Sequence, residues 1–111
     1  ICLHKTQCLV DKVKSDLTVK VEFWNKKYNL LVKKFNKITP EENNQSRISL
    51  QYLKKSIDDF SNKVNSIDKK FTSRQIKNLV DNSEYRIQSN YDFALGEADR
   101  LSNILKSPNR G

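Results

Sequence analysis

The side chains that could do chemistry in this chain are few. Cys2 and Cys8 are its two cysteines and His4 its single histidine. His4 and Cys8 are four residues apart, the spacing at which two side chains share one face of a helix. A cysteine–histidine dyad is thereby conceivable, but Cys8 has a ready partner in Cys2, and there is no second histidine. One histidine with two cysteines also matches structural zinc sites poorly. The reading is therefore no metal, with Cys2 and Cys8 as a disulfide. Six residues of regular helix would hold their Cα atoms about 9 Å apart, beyond the ~7 Å limit of a disulfide. The expectation is a hook over residues 1 to about 6, folded back onto the helix start. Two free thiols are the rival reading.

Two pairs of adjacent carboxylates, Glu41-Glu42 and Asp58-Asp59, are the other candidates for catalysis. Neighbours on a helix diverge by about 100°, so neither pair converges on one substrate atom. Glu41-Glu42 suits a helix start, and Asp58-Asp59 a solvated helix surface. The two glycines, Gly96 and Gly111, build no phosphate loop. The expectation is no catalytic residue, no cofactor and no enzyme.

Charge is the stronger signal. The 111 residues carry 21 Lys and Arg against 13 Asp and Glu, a net +8. Residues 1–38 hold nine lysines and three acids, so +6 of that total lies in the first third. Lys20, Lys27 and Lys34 are spaced by seven and form one stripe; Lys26, Lys33 and Lys37 form another. Such a basic helix attracts an acidic protein surface, a glycosaminoglycan, an anionic membrane surface or nucleic acid, and a polyanion- or anionic-surface-binding bundle is the alternative reading. Nucleic acid is the weaker reading, since arginines are few and no DNA-binding motif is present. Tyr52, Tyr85 and Phe23 lie off the apolar registers and are candidate interface anchors. The expected partner-binding set is Lys20, Lys26, Lys27, Lys33, Lys34, Lys37, Tyr52 and Tyr85. Asn44-Gln45-Ser46 is the single N-glycosylation sequon.

These residues need elements to position them, and the elements are helices. Two glycines and two prolines supply too few turns for an all-β fold. Val10, Val13, Leu17, Val21, Trp24, Tyr28, Leu31, Phe35 and Ile38 step by three and four, the stripe of one long amphipathic helix. Thr39-Pro40-Glu41-Glu42 then ends that helix and opens the next. The second stripe is Leu50, Leu53, Ile57, Phe60, Val64, Ile67 and Phe71. Thr72 and Gln75 fit a capping box for a third helix, with apolar positions from Ile76 to Leu105. Asp81-Asn82-Ser83-Glu84 interrupts that stripe and could split the helix. The expected fold is all-α, a single domain over 1–111. It is an elongated antiparallel bundle of three long helices, four if the third divides, with an N-terminal disulfide hook. No ~18-residue apolar run exists, so no membrane span is expected.

The chain starts Ile1-Cys2 without Met. That start, with an even cysteine count, reads as a processed, secreted, extracellular chain. The cysteine-bearing start ICLHKTQCLVDKV, the long first helix through VEFWNKKYNLLVKKF and the restart TPEE together resemble the anopheline salivary family that includes albicin and anophensin. The resemblance is one of size and pattern over the whole chain. It implies a secreted inhibitor that binds the convertase of the complement alternative pathway, a host plasma target. For anophensin-like members it also implies interference with the kallikrein–kinin contact system. It assigns no binding residue.

Overall fold

The computed structural model describes residues 5–38 and 47–106, with side chains for 10–38 and 47–104. The described residues form three helices: α1 over Lys5–Ile38, α2 over Ile48–Asn65 and α3 over Ser73–Lys106. No strand occurs among the described residues. At ~1.5 Å per residue the 34-residue helices are each about 51 Å long. The whole is a rod with extents of 69 × 23 × 18 Å.

Cross-helix bonds fix the topology. Lys54 on α2 donates to Asn25 on α1, and Arg47 donates to Asn36, so α1 and α2 run antiparallel. Asn90 on α3 donates to the carbonyl of Tyr52 on α2, consistent with α3 reversing again. Lys20 meets Glu84 and Lys34 meets Asp99, an almost constant offset, so α1 and α3 run parallel. The order is up, down, up.

The core is drawn from one stripe of each helix. On α1, Leu17, Val21, Trp24, Leu31 and Phe35 are buried, with Val10, Val13, Tyr28 and Ile38 packed against them. On α2, Leu50, Leu53, Ile57, Phe60 and Val64 are buried. α3 contributes Ile87, Ala94 and Ala98 to the fully buried set, with larger side chains such as Tyr91 and Leu101 only partly covered. Small residues at the centre of α3 let its backbone come close to the bulkier stripes of α1 and α2.

Two boundaries differ from expectation. α1 begins at Lys5, inside the segment expected to form the hook. The Cys2–Cys8 pairing, His4, the Thr39-Pro40-Glu41-Glu42 restart and the Asn44 sequon lie outside the described residues or side chains. α2 ends at Asn65, so Ile67 and Phe71 sit in the α2–α3 connection. Ser66 N–H closes the helix on the carbonyls of Asn62 and Lys63, and the Asp68 carboxylate accepts the N–H of Lys70 in a side-chain turn. Ile67 is still buried, held in the core by the turn.

α3 is undivided through Asp81–Glu84, so the described residues form three helices. It opens on the expected capping box: Gln75 N–H donates to Thr72 Oγ1 at 3.1 Å, and Thr72 N–H donates to Gln75 Oε1 at 2.9 Å. The polar interruption is not a break: Asp81 and Asn82 lie on the exposed side of a continuous helix, and the other two face the bundle. Ser83 takes a buried position, and Glu84 faces α1.

Candidate functional site

The two lysine stripes of α1 have different environments. Lys20, Lys27 and Lys34 flank the buried stripe and point into the seam with α3. Lys20 Nζ lies 3.2 Å from Glu84 Oε1, and Lys34 Nζ lies 2.9 Å from Asp99 Oδ1. Lys27 has no carboxylate partner among the described residues; its ammonium sits over three rings, 5.0 Å from Phe23, 5.0 Å from Trp24 and 4.9 Å from Tyr91. The seven-residue spacing places one lysine every two turns along the parallel α1–α3 pair, as at the flanking positions of a coiled coil. Their charges are engaged within the chain.

Lys26, Lys33 and Lys37 are exposed and form no ion pair among the described residues. By helical rotation they lie about 100° around α1 from the first stripe, on the side opposite the core. Val19 and Leu30 share that outward face, 62% and 65% exposed, and Phe23, 52% exposed, borders it on the seam side with its ring edge-on to Trp24. In order the ridge reads Val19, Phe23, Lys26, Leu30, Lys33, Lys37, again stepping by four and three. It is a second stripe, mainly apolar at its N-terminal end and mainly cationic at its C-terminal end, on the back of a helix whose front is already buried.

Tyr52 and Tyr85 are 57% and 77% exposed and lie away from this ridge. Both border shallow depressions between α2 and α3, where Arg86 and Asn90 recur as lining residues. The structure therefore spreads the expected binding residues over three places: the α1–α3 seam, the outward ridge of α1, and the α2–α3 groove.

Asp58 pairs with Lys54 one turn earlier at 3.2 Å, while Asp59 lines the groove. Among the described residues no three His, Cys, Asp or Glu side chains gather as a metal site. No described helix is long and apolar enough to cross a membrane.

Sequence reasoning passed over Val19 and Leu30 as surface residues and Glu84, Asp99, Arg86 and Asn90 as partners. A signal existed for the acids. Glu84 and Asp99 are separated by nearly the same distance in sequence as Lys20 and Lys34, which a parallel pair of helices brings into register. No family model, curated protein or solved structure matches the chain.

Proposed function

We propose that the chain is a secreted, non-enzymatic inhibitor, a single domain that works by occupying the surface of a host plasma protein. The outward ridge of α1 is its contact surface. In this reading the Cys2–Cys8 disulfide pins the N-terminus as a hook at the start of the same helix. One observation carries the assignment of the surface: Val19, Phe23 and Leu30 stand exposed on α1, away from the buried stripe, among three lysines that form no ion pair among the described residues. Exposed apolar side chains aligned along a rigid helix favour a partner. Covering the part of a Leu, Val or Phe side chain still exposed contributes on the order of 1 kcal/mol each before the cost of association. The lysines select an acidic counterpart and speed encounter.

The resemblance to the albicin and anophensin family directs this surface to the alternative-pathway convertase of complement, with the contact system as the second target class. A bundle acting in this way needs a long face and no reacting group. The discriminating experiment is direct binding to the assembled convertase on a sensor surface, across a range of salt. An interface anchored on Phe23 and Leu30 retains most of its affinity as salt rises. Purely polyelectrolyte attraction to a glycosaminoglycan loses it steeply. Absence of binding to the convertase at micromolar concentration overturns the complement reading.

A further inference from the structure

The groove between α2 and α3 is independent of the α1 ridge and has a different chemistry. Tyr52, Lys55, Asp59 and Lys63 follow one another along α2 at steps of three and four; on α3, Asn90, Arg86 and Asn82 run the opposite way at steps of four. The hydrogen bond from Asn90 to the Tyr52 carbonyl, 3.4 Å, ties the two rows together. Two depressions of about 190 and 460 Å³ lie along this line and share Arg86 and Asn90, so they form one trough. Tyr52 borders the first depression and Tyr85 the second.

Three cations line the trough, Lys55, Lys63 and Arg86, and none has an ion pair among the described residues. Lys55 and Lys63 are eight residues apart, about 12 Å along α2. Charges spread in this way suit a chain with repeated anionic groups, not a single small ion. The planar Arg86 fork, shared by both depressions, fits a sulfate or carboxylate in two-point contact. Apart from the two tyrosines, every lining side chain is polar or charged. The trough thus offers no pocket to an apolar peptide side chain, while its amides and hydroxyls match sugar hydroxyls. Exposed tyrosine rings supply flat faces for the C–H faces of sugars.

We propose that the α2–α3 trough binds a sulfated oligosaccharide of the glycosaminoglycan class, with Arg86 at its centre and Tyr52 and Tyr85 as stacking platforms. The site tethers the protein to sulfated polysaccharide while the α1 ridge stays free. It does not depend on the identity of the ridge's partner.

The test is titration of the isotope-labelled full chain with a size-defined heparin hexasaccharide, read by amide NMR shifts and by calorimetry. Shifts centre on 52–63 and 82–90. A variant carrying Lys55→Gln, Lys63→Gln and Arg86→Gln loses about tenfold or more in affinity, since each charge-assisted hydrogen bond contributes on that order. The charge-matched variant Lys26→Gln, Lys33→Gln, Lys37→Gln retains the wild-type affinity. Tyr85→Ala weakens binding with no change in charge. Helical circular dichroism and melting temperature verify that each variant is folded. Equal losses in the two triple variants, or shifts centred on α1, show diffuse polyelectrolyte attraction and overturn the proposal. So does tighter binding of a single-stranded oligonucleotide or a sulfated-tyrosine peptide of equal charge.

Discussion

Glu84 on α3 accepts the indole N–H of Trp24 on α1 at 3.3 Å with one carboxylate oxygen and meets the Lys20 ammonium at 3.2 Å with the other. One acid on a polar stretch of α3 thus serves the largest side chain and one of the charged flanks of α1. Trp24 is 4% exposed, with its ring edge-on to Tyr91 and under the Lys27 ammonium.

This arrangement makes Trp24 a keystone of the α1–α3 seam. Trp24→Ala removes a buried aromatic and costs about 3–5 kcal/mol, enough to unfold most of a thin bundle. Trp24→Phe keeps most of the packing and loses the bond to Glu84, and its cost is about 1–1.5 kcal/mol beyond the volume change. Denaturant unfolding followed by circular dichroism measures both. A loss below about 0.5 kcal/mol for Trp24→Ala contradicts its place in the core.

Adjacent lysines respond in opposite ways. Lys26 points outward, so Lys26→Glu changes stability by less than about 0.5 kcal/mol. Lys27→Glu removes a cation from over three rings and sets a carboxylate against their negative faces, costing at least about 1 kcal/mol. Thermal melts of the two single variants side by side decide this. Equal effects mean that the two stripes are not distinct.

Gly96 lies in the interior of α3, and a Cβ placed on it meets nothing within 4 Å. Gly96→Ala therefore gains helix propensity with no steric penalty and stabilises by about 0.5–1 kcal/mol. A fall in melting temperature reveals a contact that the helix surface does not show.

Ser83 is 6% exposed, and its Oγ has no hydrogen-bond partner among the described residues. Ser83→Ala removes a buried hydroxyl and improves helix propensity. It is neutral or stabilising by up to about 1 kcal/mol. Destabilisation by more than that, in the same unfolding assay, gives the hydroxyl a structural role.

Much of the fold was legible from periodicity alone. The α1 register from Val10 to Ile38 is unambiguous because every step is three or four and no Gly or Pro breaks it. The α3 start was legible because Thr72 and Gln75 satisfy each other's backbone N–H groups locally. Ile67 and Phe71 misled for a physical reason: their spacing fits a helix, but Ser66 and Asp68 provide turn bonds that end it first. The surface was harder to read. A lysine at heptad spacing looks the same in sequence whether it serves a partner or a neighbouring helix. Only the parallel placement of α3 separates Lys20, Lys27 and Lys34 from Lys26, Lys33 and Lys37. The groove was invisible because its two rows meet only after α2 and α3 pack.

The central claim, inhibition through the outward ridge of α1, is most directly tested by complement deposition on an activating surface in serum restricted to the alternative pathway. Wild type, a Lys26→Glu, Lys33→Glu, Lys37→Glu variant and a Phe23→Ser, Leu30→Ser variant are compared at equal concentration, each verified as helical. Wild type suppresses deposition without cleaving any component. The charge-reversed variant acts more slowly and more weakly, because exposed charges govern association. The Phe23, Leu30 variant binds but dissociates fast. Full inhibition by both variants removes the ridge from the mechanism, and no inhibition by wild type contradicts the proposed function itself.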